Sequence, residues 1–384
     1  MPLPCRPPET STSRDGKKRW APTSRWSLPM SAEALAIESD FFAPRAAIDD
    51  LLSEFLTEKA QNASVPGQAA LALLLRDFVA GGKRVRPLLC VTGWLAAGGR
   101  GDPAQAVRLA ASIELAHACA LIHDDIMDAS DSRRGRPTVH RVLADHHHVP
   151  STAQRYGLSG AILLGDLALV WSDELLHTTP MPDAHRVAVM RCVDLARSEL
   201  IGGQHLDLLT TGDLHVSIET TMSVVRYKTA KYTIERPLQV GAALAGAGRQ
   251  VMDACSAYGV PLGEAFQLRD DVLGVFGDPD RMGKSRLDDL REGKCTSLIV
   301  HALRASGPAQ AGRLRALIGD PHLGEQEAAE VRDILTSTGA RAAVERMIEE
   351  RYRQALDALA SAPFPHGASR ILENVVETVV HRTA

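Results

Sequence analysis

The sequence predicts an all-α fold, a single helical domain around a buried centre. Three observations carry that prediction. Hydrophobic residues fill 45% of the 384 positions and aromatics only 4%, with Ala, Leu and Arg plentiful, a mixture that favours helix over sheet. From Ser31 onward, apolar and amphipathic segments of helical length follow one another with short breaks. No short-period repeat and no sustained alternation of apolar and polar residues marks a repeat array or a sheet.

In chain order, residues 1–30 are rich in Pro, Ser, Thr and Arg, lack the apolar core of a signal peptide and read as a disordered tail, with Met1 or Met30 as the start. "AAIDDLLSEFLTEKA" is amphipathic, and "GQAALALLLRDFVAGGK" stops at Gly81 and Gly82. "DPAQAVRLAASIELAHACALIHDDIMD" is long, and its "ASIELAHACALIH" stretch, free of Pro and Gly, reads as a largely buried helix. "DHHHVPSTAQRYG" is a polar break before "SGAILLGDLALVWSDELLH". "DAHRVAVMRCVDLARSELIGGQHLDLLT" and "IETTMSVVRYKTAKYTIERPLQVGAALAG" continue the helical pattern. "QVMDACSAYGVPLGEAFQLRDDVLGVFGD" is a further helix, interrupted near Pro261. "PDRMGKSRLDDLREGKCT" is a charged loop, and three or four helices finish the chain. No linker divides residues 31–384, which read as one domain.

A net charge of -4 argues against a nucleic-acid partner. Six scattered cysteines without a C-x-x-C pair indicate neither a zinc site nor a disulfide frame, and fit a reducing cytoplasm. No apolar run is read as reaching membrane-spanning length, so no transmembrane segment is expected.

The chemistry concentrates in "LIHDDIMDASDSRRGRP", which places Asp124, Asp125 and Asp128 at the end of an apolar segment and Arg133 and Arg134 just beyond. Asp124 and Asp128 are four apart and share a helix face; Asp125 points about 100° away. Carboxylates this close raise one another's pKa unless a cation lies between them. A second pair, Asp270 and Asp271 in "FQLRDDVLG", again sits on an apolar helix, with Gln267 three residues before it. If the two helices face each other they make an acidic cleft. Mg²⁺ takes a few carboxylates plus substrate phosphates, so such a cleft predicts metal and phosphorylated ligand together. Cations for the phosphates are present: Lys83 and Arg86 in "GGKRVRP", Arg133 and Arg134, Lys228 in "YKTAKY", and Lys284 and Lys294 in "MGKSRLDDLREGK".

With these motifs in this order, the chain resembles the trans-prenyl diphosphate synthases, or polyprenyl synthetases, and among them the bacterial geranylgeranyl diphosphate synthases. The resemblance runs from about Glu33 to the C-terminus through "GGKRVRP", "LIHDDIMDASDSRRGRP", "GDLAL", "GGQHLDL", "KTAKY" and "FQLRDDVLGVFGDPDRMGK". It implies long antiparallel helices around a deep central cavity and a homodimer. It also implies the reaction: an allylic diphosphate ionises with help from three Mg²⁺, isopentenyl diphosphate attacks the carbocation, and a proton is lost. By resemblance Asp124, Asp128 and Asp270 are metal ligands, while Asp125 and Asp271 hold metal-bound water or nearby cations. Arg133, Lys228, Lys284 and Lys294 would take the allylic diphosphate. Lys83, Arg86, His117 and Arg134 would take isopentenyl diphosphate, with His117 two helix turns before Asp124. Thr229, Gln204, Gln267 and the Lys228 carbonyl complete the catalytic set, with fixed dipoles stabilising the allylic cation. The leaving diphosphate would be the base.

One departure stands out. The family's second acidic motif usually ends in Asp, and here that position is Gly274; Asp278 lies a further turn on and does not replace it. Product length is read from the helix before Asp124. Family members that stop at fifteen carbons often carry an aromatic four or five residues before the first Asp, where this chain has Ala120 and Cys119, followed upstream by Ala116 and Ser112, all small. Cys119 to Ser112 is about 10 Å of open wall, which favours the C20 product, geranylgeranyl diphosphate, over farnesyl or longer polyprenyl diphosphates. Leu115, Ile113 or a neighbouring helix forms the floor.

Other features read as ordinary structure: His146, His147 and His148 as plain surface, "LDDLREGK" as a helix fragment with surface ion pairs, Trp171 and Tyr232 as core or cavity wall, and "GAALAGAG" as small-residue packing. Three rivals remain. A class I terpene cyclase shares the acidic helix but binds no second diphosphate. A His-Asp phosphohydrolase is suggested by His123-Asp124 but needs further His ligands. A regulatory subunit of a synthase typically loses aspartates that this chain keeps.

Overall fold

The computed structural model describes residues 32–278 and 285–380. The tail expected at 1–30 and the cation expected at Lys284 lie outside the described residues. Four helices lead to the first acidic segment: α1 (Ala32–Gln61), α2 (Gln68–Val79), α3 (Val85–Ala96) and α4 (Pro103–Met127). The side chain of Asp102 caps α4 by accepting from the Ala104 N–H, and Pro103 follows at the first helical position, where its missing N–H costs nothing. A two-stranded hairpin follows, β1 (Ser132–Arg133) with β2 (Arg136–Pro137). Its turn residues Arg134 and Gly135 both have positive φ, 53° and 70°, the conformation a two-residue hairpin requires. The absence of sustained alternation hid this hairpin, because each strand is only two residues long.

Then come α5 (Val139–Asp145), α6 (Ala153–Thr178), α7 (Asp183–Thr210) and α8 (Ile218–Val224). α8 passes directly into a π-helix, Val225–Glu235, and that into α9 (Arg236–Leu244). α10 (Arg249–Phe276) runs unbroken through Pro261, against the expected interruption. Proline forfeits its bond to the residue 257 carbonyl, but α10 is packed along its length by the π-helix and by α15 (below), and tertiary packing overrides the local penalty. The charged loop contains a short helix, α11 (Asp288–Arg291). Among the described residues five helices, not three or four, finish the chain: α12 (Ser297–Ala305), α13 (Pro308–Leu317), α14 (Glu325–Ser337), α15 (Ala340–Ala360) and α16 (His366–Val380). Breaks at Gly307-Pro308 and at Gly339, where φ is 76°, divide what reads as fewer segments.

α4 packs on α6, α3 on α9, and α10 on the π-helix and α15. One apolar core gathers Leu52, Leu115, Ile122 and Leu164; the other gathers Tyr258, Leu262, Leu298 and Ile348. Each such side chain contributes about 1.5–3 kcal/mol by leaving water. The buried Tyr258 hydroxyl donates to the Leu372 carbonyl at 2.8 Å, tying α16 to α10. Contrary to the expectation that no apolar run reaches membrane-spanning length, α4 is long and apolar enough to cross a membrane. More than half of its apolar window is buried inside the protein, so it serves as a core helix, and it delivers the first acidic segment to the site. The π-helix is held close by glycines: a Cβ on Gly203 of α7 would lie 2.3 Å from the Lys228 nitrogen, and one on Gly263 of α10 would lie 2.4 Å from Ala230 Cα. A side chain at either position would push the π-helix away.

Candidate active site

The end of α4 and the C-terminal half of α10 converge on one cleft of about 370 Å³, lined among others by Asp207, Lys228, Thr229, Asp270, Asp271 and Lys294. Asp124 and Asp128 join it through two lysines. Lys228 Nζ is 2.6 Å from Asp207 Oδ2 and 3.5 Å from Asp124 Oδ1. Lys294 Nζ is 3.6 Å from Asp128 Oδ2 on one side and 3.6 Å from Asp289 Oδ1 on the other, with Glu292 at 2.6 Å. Both lysines line the cleft with Asp270 and Asp271, and so bring the first acidic segment to the same site.

The electrostatics follow from this crowding. Burial, with the charge of Asp124 next in weight, pushes Asp128 up to about 6. Burial pushes Asp271 up to about 7, against the hydrogen bond it accepts from Gln267 Nε2 at 2.8 Å. For Lys228, burial pulls downward, but the charges of Asp124 and Asp207 outweigh it and raise the pKa. Lys294 is raised in the same way by Asp289, Asp128 and Glu292. Asp125 turns away from the cleft: burial raises it, and Arg133, at 2.7 Å, opposes that shift by binding it. Arg133 also reaches to 3.8 Å from Asp124, so the hairpin cation closes the charge balance at the end of α4.

The donors fit Mg²⁺. They are carboxylate oxygens, the ligands that ion prefers. Asp124 Oδ1 is buried without a hydrogen-bond partner. Among the described residues, no group of three or more carboxylate, imidazole or thiol side chains could hold an ion by itself.

Thr229 Oγ1 donates to Gln267 Oε1 at 2.7 Å, so Thr229, Gln267 and Asp271 form a hydrogen-bonded chain on the cleft wall. Lys228 and Thr229 lie on the π-helix, a form that recurs at functional sites. Gln204, on α7, donates to Met127 Sδ at 3.6 Å beside the end of α4.

A cluster of basic side chains surrounds His117. Arg86 reaches its Nε2 at 3.0 Å and donates to Thr233 Oγ1 at 2.7 Å. Arginine is donor only, so Nε2 accepts and the imidazole proton sits on Nδ1, which is buried without a partner, as is Arg86 Nε. Burial, then Arg86, Arg133, Arg134 and Arg84, lower His117 well below the usual histidine range, so it is neutral. Arg134 leans on Gly82, next to the exposed Lys83. The charge of Arg134, held in the hairpin turn, acts on both His117 and Arg86.

Of the chain-length residues, Ser112 and Ala116 line a small cavity of about 30 Å³ with Ile113, Ser172, Arg197 and Tyr232. Cys119 lies instead with its Sγ 3.8 Å from His123 Nδ1, and Ala120 is half-buried; neither is among the residues lining that cavity. Leu115 is core, whereas Ile113 lines the cavity. His123 lies 3.1 Å from the Ile162 carbonyl and 3.9 Å from Asp166, and among the described residues no imidazole cluster joins it to hold a metal. His147 stacks on Tyr156 at 4.3 Å, and Trp171 is core.

Sequence reasoning missed three site residues. Asp207 lies three residues after Gln204 in "GGQHLDL", a spacing that puts both on one side of α7 and was a usable signal. Arg84 is buried, and binds Asp49 at 2.7 Å and Glu114 at 2.6 Å; nothing local separates it from its neighbours Lys83 and Arg86. Asp289 is not on a surface ion-pair fragment, as "LDDLREGK" reads, but lines the cleft and is 15% exposed.

The chain is similar to known proteins over most of its length. The sequence model of the family described as Polyprenyl synthetase matches residues 68–336. A geranylfarnesyl diphosphate synthase from Aeropyrum pernix is 34% identical over 300 residues, covering 77% of this chain and 89% of that one. A (2E,6E)-farnesyl diphosphate synthase from Mycobacterium tuberculosis is 33% identical over 79% of this chain and 80% of its own. The crystal structure of a geranylgeranyl pyrophosphate synthase from Corynebacterium glutamicum, complexed with isoprenyl diphosphate and magnesium, superposes with a TM-score of 0.83 at 38% identity, over 88% of this chain and 98% of that one.

Proposed function

Because the chain belongs to the polyprenyl synthetase family, and is thus a prenyl diphosphate synthase of the transferase class, we propose that it elongates an allylic diphosphate with isopentenyl diphosphate to give geranylgeranyl diphosphate, C20. The observation that carries this reading is the pairing of two unlike anion sites. One is a carboxylate cleft bridged by Lys228 and Lys294; the other is an arginine cluster around a neutral His117.

Asp124, Asp128 and Asp270 hold Mg²⁺, three ions in all, with Asp125 and Asp271 supporting. Bound there, Mg²⁺ neutralises the diphosphate leaving group. Arg133, Lys228 and Lys294, with Lys284, draw the allylic diphosphate to the cleft. Arg86, Arg134 and Lys83 hold isopentenyl diphosphate, and the unpartnered Nδ1–H of His117 donates to it. The Lys228 carbonyl, Thr229, Gln204 and Gln267 present fixed dipoles to the allylic cation, stabilisation prepared before the charge appears. The departing diphosphate takes the proton, so no side-chain base is needed. A terpene cyclase has no use for the arginine cluster.

Small residues at Ser112 and Ala116 beside a cavity support growth past fifteen carbons. A homodimer is supported by apolar side chains exposed on α6 and α7, among them Leu163, Val170, Val187 and Ile201. The buried free thiols fit a reducing compartment, the cytoplasm.

Incubation with Mg²⁺, labelled isopentenyl diphosphate and each allylic starter should release diphosphate and give C20. Absence of diphosphate release with any starter would end this reading, and a C15 or longer main product would change its last step. Ala116→Phe should shorten the main product to C15 by chromatography; an unchanged spectrum would remove the cavity from the account.

A further inference from the structure

Gly274 faces the cleft at the end of the second acidic segment, one turn after Asp270 and Asp271. A Cβ built there would lie 2.1 Å from Asp289 Oδ2 and 3.2 Å from its Cγ. Real Cβ atoms do not approach another heavy atom that closely, so the Asp289 carboxylate occupies the space in which a residue-274 side chain would begin. That carboxylate comes from α11, fifteen residues further along the chain. It is tied to the first acidic segment as well, because Lys294 lies 3.6 Å from Asp289 Oδ1 and 3.6 Å from Asp128 Oδ2. We propose that Asp289 supplies from α11 the carboxylate that position 274 lacks, and that residue 274 must be glycine to seat it.

Asp289 is then a positioning residue. It completes the negative wall begun by Asp270 and Asp271, and it holds Lys294 against Asp128 of the first acidic segment. Asp278, the nearer acid in sequence, is exposed and is not among the residues lining the cleft. A swap of backbone origin at unchanged chemistry is enough to keep the metal-facing wall complete without a third aspartate in the motif.

The inference rests on reading the cleft as a metal–diphosphate site, so its test separates the two. Mn²⁺ uptake in the presence of inorganic diphosphate is measured by electron paramagnetic resonance on the full chain, with a thermal melt of each variant. Asp289→Asn keeps the shape and removes the charge. It should weaken Mn²⁺ uptake by about ten-fold, the scale of losing a partner just outside the metal ligands, with little change in melting temperature. Gly274→Asp alone should melt lower than the wild type, because two carboxylates compete for one space. Gly274→Asp with Asp289→Ala should regain Mn²⁺ uptake to within about three-fold of the wild type, well above Asp289→Ala alone. Wild-type uptake by Asp289→Asn would overturn the inference, as would a folded double variant no better than Asp289→Ala. No Mn²⁺ uptake by the wild type itself would overturn the reading of the cleft and this inference with it.

Discussion

In the carboxylate cleft each cation leans on an acid: Lys228 on Asp207 at 2.6 Å, Lys294 on Glu292 at 2.6 Å, Arg133 on Asp125 at 2.7 Å. Around His117 the arrangement is reversed. Arg86 leans on neutral groups, the His117 imidazole and the Thr233 hydroxyl, and burial with the surrounding arginines keeps that imidazole uncharged. Arg84, buried nearby, pairs with the carboxylates of Asp49 and Glu114. On the proposed reading, this difference would let one molecule sort two diphosphates. The cleft holds more carboxylates than cations, so on the proposed reading an anion would enter it favourably only with cations of its own. The arginine cluster holds more cations than carboxylates, with Glu114 opposing Arg84, Arg86 and Arg134, and on that reading would accept an anion without a metal.

The comparison breaks most severely if Asp270 is neutralised. Asp270→Asn should lower kcat by about 10³-fold, the loss expected when preorganised charge is removed from a reacting site, with the KM for isopentenyl diphosphate moved little. Steady-state kinetics with each substrate varied will show it, and an equal rise in both KM values would mean that the two sites are not separate. A smaller effect belongs to Arg86→Gln. Losing one charged donor, about 1.5–3 kcal/mol, should raise the KM for isopentenyl diphosphate by about 10- to 100-fold and leave that for the allylic substrate unchanged.

The smallest effect is a control on paired charge that binds nothing. Glu199 accepts from Arg236 at 2.7 Å and from Lys231 at 2.8 Å on the far side of the π-helix. Burial raises its pKa, but the two hydrogen bonds outweigh burial and leave it below the usual glutamate range. A depressed carboxylate stabilises the fold above its unfolded pKa and loses that contribution as pH falls through the folded value. Glu199→Gln should therefore cost about 1–2 kcal/mol at pH 7, and denaturant titrations should show the gap from wild type closing as pH falls below 4. A constant gap would mean that the loss is one of packing.

Much of this was legible before the fold was seen, for reasons that differ by residue. The helix ending in Asp124, Asp125 and Asp128 announces itself because carboxylates rarely cluster on an apolar stretch. Arg86 and His117 lie on different helices and were joined only by family resemblance; the structure places them 3.0 Å apart. What stayed hidden is long-range. Asp289 looks like any exposed acid in a charged loop, and its value comes from a carboxylate seated over Gly274, a contact no local pattern encodes. The π-helix was invisible too, since an added residue per turn leaves the apolar pattern of "VRYKTAKYTIE" looking helical. Pro261 misled in the other direction, because packing on both flanks of α10 decides more than one lost hydrogen bond.

The most direct measurement is a pair of calorimetric titrations, isopentenyl diphosphate and an allylic diphosphate, each with Mg²⁺ and with the metal chelated. The account predicts that isopentenyl diphosphate binds in both conditions, whereas the allylic diphosphate binds tightly only with Mg²⁺. Loss of isopentenyl diphosphate binding on chelation, or tight metal-free binding of the allylic substrate, would contradict it.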